Sequence, residues 1–220
     1  MSTLLLRLAG PMQSWGTQSR HSLRDTGQEP SKSGVIGLVA AALGRPRERD
    51  ISDLAGLRMG VRIDHEGRVS KDFQTALHVI RADRSRSNEA VISDRYYLAD
   101  ADFLVGLESD DAQLLNQIHQ AVANPYWPLC LGRKAFPLGL PAYIPDGLQP
   151  DVGLEDALAT FPILSRYLEQ KPSIRLVMEQ STQTGIARID QPVSFQPRRY
   201  ATRYVRTEWL ESEGMTTEEE

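Results

Sequence analysis

Apolar residues in this chain change their period several times, and the changes mark out its elements. Leu4, Leu5, Leu6, Leu8 and Ala9 form a short apolar run stopped by Gly10-Pro11, the pattern of a buried strand over residues 3–9. Pro11 to Pro30 has no regular pattern, and a loop of that length is uncommon in a compact domain unless it has a task. Ser33 to Leu43 is apolar or small on every side and predicts a buried helix, N-capped by Ser31 or Ser33 and stopped by Gly44 and Pro46. A helical turn is predicted near Ile51–Leu57. Met59, Val61 and Ile63 then alternate with Arg58, Arg62 and Asp64, which predicts a half-buried strand turning at His65-Glu66-Gly67. A strand from Val69 to Ile80, a polar tip from Arg81 to Asn88 and a return from Ala90 to Leu98 predict a long hairpin, followed by a strand over Phe103–Leu107. A second helix, Asp110–Ala123, sets Leu114, Ile118, Ala121 and Val122 at helical spacing and stops at Asn124-Pro125.

Strand, helix, hairpin, helix and a final strand give a βαββαβ order, so the expected class is α+β, a ferredoxin-like (RRM-like) palm carrying a long β-hairpin. Residues 1–150 would form this palm, with the hairpin at about 69–98. Residues 151–207 read as a small strand-rich C-terminal appendage with a helix near Leu154–Thr160, and residues 208–220 as an acidic, frayed tail.

At 220 residues and 40% hydrophobic composition the chain is long enough for one well-cored domain and an appendage. No apolar run approaches the roughly 20 residues that span a bilayer, and Leu4–Ala9 is too short for a secretory signal, so no membrane partner and a cytoplasmic location are expected. Cys130 is the single cysteine, which excludes an internal disulfide and gives no zinc spacing; neither a metal nor a cofactor is expected. The net charge of −4 argues against a nucleic-acid partner until its distribution is read. Residues 1–99 hold 15 basic against 11 acidic side chains, residues 100–165 hold 2 against 9, and residues 166–207 hold 8 against 3. Six glutamates and no base follow from Glu208 onward, so the ends of the folded part are basic and the middle is acidic. Of the 25 basic residues 21 are Arg, which pairs bidentately with phosphate; a codon preference for Arg explains the ratio equally well.

The candidate chemistry follows from that distribution. The helix entry Ser31-Lys32-Ser33-Gly34 could receive a backbone phosphate, and the long loop before it carries Arg20, His21 and Arg24. Tyr126 to Gly139 gathers aromatics and glycines around Leu131-Gly132-Arg133-Lys134, and Arg133 and Lys134 are the one basic pair of the acidic middle. Tyr126, Trp127 and Phe136 read either as stacking platforms or as core. Arg198 to Arg206, read as a strand, puts Arg199 and Arg203 on one face and Tyr200 and Tyr204 on the other, a spacing that can track a sugar-phosphate backbone or serve as one solvated and one packed face. Metal-independent RNA cleavage would need a base near the 2′-hydroxyl, and of the four histidines only His21 is placed for it; His65, His78 and His119 read as structural. No phosphate-binding loop of nucleotide hydrolases, His-Glu-x-x-His helix or nucleophile elbow is present.

The run Arg7-Leu8-Ala9-Gly10-Pro11-Met12-Gln13-Ser14-Trp15-Gly16, the Pro30-Ser31-Lys32-Ser33-Gly34 helix entry, the Leu131-Gly132-Arg133 loop and the stretch from Arg199-Tyr200-Ala201 to Glu208-Trp209 together resemble the Cas-five family of the RAMP superfamily, as found in type I-E CRISPR Cascade. The resemblance implies a ferredoxin-like palm with a hairpin thumb whose tip carries Arg81, Arg84 and Arg86, and a non-catalytic role in antiviral defence. It implies that Gln13, Ser14, Trp15, Lys32, Ser33 and Arg133 line a site for the 5′ handle of CRISPR RNA. The implied partners are that handle, the backbone subunit CasC whose filament the chain would cap, the large subunit CasA, and target DNA near the first paired bases, the target itself being read by the guide. In type I-C relatives the corresponding subunit cuts repeat RNA with a Tyr, a Lys and a His; no Lys-His pair occurs in this sequence. A generic RNA-recognition module is disfavoured because the aromatic-rich strand signature of that class is missing.

Overall fold

The computed structural model describes residues 1–18, 23–80, 83–85, 90–164 and 173–211. The first strand, β1 (Ser2–Ala9), is buried on both faces, which is why its sequence is a continuous apolar run and not an alternation. Leu4, Leu6 and Leu8 face α1 (Lys32–Ala42) and α3 (Ala112–Ala123) in the larger core, while Leu5 faces α4 (Leu154–Thr160) in a second one. Ser31 caps α1, its Oγ accepting from the Gly34 N–H at 3.3 Å, and Asp111 caps α3 by accepting from Leu114 at 2.9 Å. A short helix, α2 (Ser52–Ala55), follows α1.

Among the described residues seven strands form the main sheet, all paired antiparallel. With β4 (Arg58–His65), β7 (Asp102–Ser109), β8 (Leu148–Gln149), β9 (Ser173–Gln180), β10 (Ile186–Phe195) and β11 (Arg198–Glu211), their order is β10-β11-β9-β4-β7-β1-β8. The molecule is a mixed α/β protein with a strand-rich sheet. β9 pairs directly with β4, so the strands after residue 172 continue the main sheet. β11 also runs on to Glu211, pairing Glu208–Glu211 with Ser173–Leu176, so the first residues expected in a frayed tail are a sheet strand. Residues 212–220 lie outside the described part.

A second sheet is built on β6 (Val91–Ala99), which pairs with β5 (Arg68–Ala76) along its length and with β2 (Met12–Gln13) and β3 (Leu23–Arg24) at its base. β5 and β6 are the predicted hairpin. Its first strand ends at Ala76 instead of Ile80, and His78, expected within the strand, has a φ of 54° and lies beyond the pairing. β2 and β3 belong to the loop that showed no pattern, since two-residue strands carry no period.

One expectation fails for β4. Arg62 and Asp64, assigned to a solvated face, are buried, with Arg62 0% exposed. The chain after α4 covers that face: Arg62 binds Asp64 at 2.7 Å and donates to the carbonyls of Leu158, Phe161 and Pro162. Arg7 likewise pairs with Asp102 and donates to the Leu164 carbonyl. Among the described residues no helix is long and apolar enough to cross a membrane.

α4 is also tied to β4 by Glu155, which accepts from Arg58; that hydrogen bond holds the Glu155 carboxyl below its ordinary range. A folded value below the unfolded one means that the pair stabilises the protein above about pH 4.3 and that this stabilisation is lost as the pH falls through the lowered folded value. Between about pH 5 and pH 3 the urea midpoint of Glu155→Gln should therefore fall less steeply than that of the unaltered chain, and parallel curves would show that the pair contributes nothing.

Candidate nucleic-acid interface

The long loop after β1 is held by a chain of buried polar contacts. Gln13 is 0% exposed; its Nε2 donates to the carbonyls of Leu8 (3.0 Å) and Ala101 (2.7 Å), and its Oε1 accepts from Trp15 Nε1 at 3.1 Å. The Trp15 ring lies against Gly34 of α1, where a Cβ would come within 2.9 Å of Cε3, so a larger residue there would displace the ring. The Ser14 N–H donates to Leu131 at 3.1 Å, and the Trp15 N–H donates to Thr26 Oγ1 at 3.0 Å. These contacts place Ser14 and Gly16 beside the 131–133 loop.

Gly132 makes that junction possible. Its φ is +86°, and a Cβ on it would stand 1.8 Å from the Ser14 carbonyl oxygen. Arg133 then crosses to the long loop, Nη2 donating to the carbonyls of Arg24 (3.2 Å) and Asp25 (3.3 Å), with its guanidinium 5.5 Å from the centre of the Phe136 ring.

A cleft of about 390 Å³ opens at this junction, lined by Ser14, Gly16, Arg24, Asp25, Arg95, Gly132, Arg133 and Arg198. Four arginines thus converge from β3, β6, the 131–133 loop and the start of β11. Arg24 and Arg95 are direct partners across the β3–β6 pairing, a like-charge arrangement that costs stability unless an anion relieves it. Several arginines packed on the sheets are neutralised, Arg7 by Asp102, Arg58 by Glu108, Arg175 by Glu29 and Arg203 by Asp190, whereas the exposed Arg47, Arg49, Arg68 and Arg199 form no ion pair among the described residues. Among the described residues no ion pair joins Arg24, Arg95, Arg133 or Arg198 to a carboxylate. Burial, then repulsion from Arg95 and Arg24, pushes the Arg133 pKa down, so an anion in the cleft would be favoured by this charge excess. Asp25 is the one acid in the lining, and its Oδ2 is engaged by the Thr17 and Gln18 N–H groups.

Of the residues expected at a site, Ser14, Arg24, Gly132 and Arg133 meet in this cleft. Arg95 and Arg198 were missed because nothing in the sequence distinguishes them from other strand arginines; the alternation of the hairpin strands was the available signal. Gln13, Trp15 and Leu131 are buried beneath the cleft and offer no surface to a ligand. The helix entry is closed as well. The Asp190 carboxylate accepts the Lys32 N–H at 2.8 Å, in the place expected for a phosphate, and Lys32 Nζ is 2.9 Å from both Glu179 oxygens. Burial lowers the Lys32 pKa against the opposing pull of Glu179. Ser33 is half-buried in the same turn, and Arg203 is buried on Asp190 at 2.7 Å instead of sharing an open face with the exposed Arg199. Lys134 is exposed beside the cleft lining, and Arg84 is exposed beyond the paired part of the hairpin. Arg20, His21, Arg81 and Arg86 lie outside the described residues.

The open question over the aromatics resolves differently for each. Phe136 is core, whereas Tyr126, 73% exposed, and Trp127 donate their N–H groups to Ala42 and Ala41 and finish the C-terminal end of α1. His65 bonds the Asp100 carbonyl, and His119 bonds that of Ile144 while stacking on Tyr143 at 4.6 Å. Among the described residues no histidine lines the cleft and no cluster of three metal-ligating side chains occurs.

Fold and cleft together define a mixed α/β protein with an arginine-lined cleft at the junction of its two sheets. Residues 3–206 match the family model described as CRISPR-associated protein (Cas_Cas5), and the chain belongs to that family. It is 36% identical over 158 residues to the CRISPR system Cascade subunit CasD of Escherichia coli (strain K12), a match covering 65% of this chain and 70% of that protein. A solved structure described as a crystal structure of Cas protein aligns with a TM-score of 0.79 and 43% identity, covering 98% of both chains. A chain of a CRISPR RNA-guided surveillance complex aligns with a TM-score of 0.77 and 35% identity, over 96% of this chain and 90% of that one.

Gly132→Ala should lower stability by about 2 kcal/mol or more, since both the backbone conformation and the contact with Ser14 oppose a Cβ; an unchanged denaturant midpoint would mean that the junction yields freely. Lys32→Met should cost roughly 1–3 kcal/mol, because Glu179 loses its nearest cation but keeps the Met59 N–H at 3.1 Å and Arg203 at 3.9 Å, yet leave the RNA affinity of the folded fraction unchanged. Selective loss of RNA binding with normal stability would return Lys32 to the site.

Proposed function

We propose that this chain is the non-catalytic RNA-holding subunit of a type I-E Cascade surveillance complex, gripping the 5′ handle of CRISPR RNA and capping the filament of backbone subunits. The observation that carries the reading is the cleft with four arginines that pair with no carboxylate among the described residues, a charge excess suited to a polyanion, on a chain similar to a named Cascade subunit and to a chain of an RNA-guided surveillance complex. Ser14, Gly132, Arg24 and Arg133 would meet the handle, joined by Arg95 and Arg198. The strand order β8-β1-β7-β4, with α3 packed on β1 and α1 packed beside α3, supports a ferredoxin-like palm within residues 1–150. The β5–β6 hairpin would be the thumb, and residues 151–207 would widen the palm's sheet. Single-stranded RNA suits such a site because its backbone bends freely and its phosphates are accessible. The backbone subunit CasC, the large subunit CasA and target DNA at the first paired bases are the proposed neighbours, in the cytoplasm.

Purification of the tagged protein from its host with end-resolved sequencing of bound RNA tests this. RNAs sharing one constant 5′ tag ahead of variable sequence, with several proteins co-eluting, are expected; RNA with no common end would remove the handle reading. Within the assembled complex, Arg24→Ala and Arg133→Ala should each accelerate RNA loss roughly tenfold and flatten the slope of log affinity against log salt by about 0.7. Unchanged retention and slope would take these side chains out of the site.

A further inference from the structure

We propose that Arg175 is a positioning residue for RNA holding: from the main sheet its guanidinium grips both the root of the β5–β6 hairpin and the end of the long loop, and so sets the second sheet at a fixed angle. The inference rests on the RNA-holding reading and adds how the two sides of the cleft are kept in place. Arg175 lies on β9, opposite Ile63 of β4 and Trp209 of β11. Its Nε and Nη2 donate to the two Glu66 carboxylate oxygens at 3.0 and 2.8 Å, and its Nη1 donates to Glu29 Oε2 at 3.0 Å. Glu29 Oε1 accepts from Arg188 of β10 at 2.9 Å. A chain of alternating charges thus runs from Glu66 through Arg175 and Glu29 to Arg188.

The ends of that chain sit where the second sheet meets the first. The hairpin leaves the main sheet at Glu66-Gly67 and returns at Asp100-Ala101, outside every ladder of the described residues. Glu66 stands in the first of these crossings, and Glu29 stands shortly after Arg24 on the loop whose β2 and β3 pair with β6 over two residues each. Hairpin and loop therefore move as one unit, which brings Arg24 and Arg95 to the cleft, while Arg133 and Arg198 reach it from the 131–133 loop and β11. Exposed ion pairs are worth little, but the Arg175 and Glu29 side chains are each only 13% exposed and the Glu66 contact is bidentate. A guanidinium is planar, so serving both carboxylates fixes their direction as well as their distance; an ammonium would neutralise them without fixing the angle. Because Arg175 directs its donors to Glu66 and Glu29, altering it removes no contact with a phosphate.

The test compares Arg175→Lys, Glu29→Gln and Glu66→Gln, in the free chain by hydrogen exchange and in the assembled complex by RNA loss under competitor chase. Glu66→Gln alters a carboxylate that is 42% exposed, and it serves where Arg175→Lys lowers the yield of folded chain. In each variant the amides of β5 and β6 should exchange about fivefold faster, while those of β1, β7 and α3 stay unchanged. RNA should leave roughly fivefold faster with the slope of log affinity against log salt unaltered, in contrast to the flattened slope of Arg24→Ala. Adding Glu66→Gln to Arg175→Lys should change neither reading further, since both break the same link. A flattened slope in Arg175→Lys would make this side chain a phosphate contact and overturn the positioning role. Equal acceleration of exchange in every element, or faster hairpin exchange with unchanged RNA loss, would reduce the ion chain to ordinary stabilisation and overturn it as well. Unchanged exchange and RNA loss in all three variants would leave the second sheet held by other contacts and sink the proposal. RNA with no common 5′ end in the unaltered complex would remove the handle reading alone, because hairpin exchange and the rate of RNA loss still decide what Arg175 does.

Discussion

The Gln13 carboxamide is the contact on which the arrangement of this protein turns. It sits where the chain leaves the main sheet, and with one side chain it satisfies the carbonyl at the end of β1, the carbonyl just before β7 and the indole N–H of Trp15. None of these groups has water to fall back on, so each would cost about 1–3 kcal/mol if left unpaired. The consequence reaches well beyond the bonds themselves. Trp15 is fixed against Gly34 of α1, Ser14 is brought to the Gly132 junction, and the base of the second sheet is registered against the first. The cleft exists because these three placements coincide.

Charge is distributed with the same logic. Basic side chains under or within the sheets are matched: Arg62 by Asp64 and three carbonyls, Lys32 by Glu179, Arg203 by Asp190. The cluster of Lys32, Glu179, Asp190 and Arg203 clamps the first turn of α1 to β9, β10 and β11, and in doing so it uses the donor of the helix entry for an internal carboxylate. The arginines of the cleft have no such partners among the described residues. The basic residues that the fold buries thus each have an acid built in beside them, and the cleft gathers four that have none among the described residues.

The hairpin links the two sheets mechanically. β6 carries Arg95 into the cleft, Tyr97 towards Phe136 and Leu98 into the core, so its base is packed on the main body, while Phe73, Ile92 and Leu77 further out are exposed. Displacement of the outer hairpin can therefore act on the cleft only through β6, the strand that pairs with β2, β3 and β5.

Local pattern alone determined the buried strand of leucines, both long helices and the Ser cap of the first, the hairpin and the Leu154–Thr160 helix, because each is encoded by a period or cap within a dozen residues. The motif around Gln13, Ser14 and Trp15, and the Gly132-Arg133 loop, were likewise legible as important. What the side chains do there was decided by tertiary structure. Whether an Arg, Lys or Gln meets solvent depends on which distant strand or carboxylate lies over it. The sequence of β4 could not show that the segment after α4 would cover Arg62, and the helix entry could not show that Asp190, 158 residues away, would occupy it. Arg24, Arg95, Arg133 and Arg198 are a cluster only in space, since no periodicity links a loop, a hairpin strand and the start of β11. Burial and charge pairing are long-range properties, and they alone separated the residues that hold the site together from those left to receive a ligand.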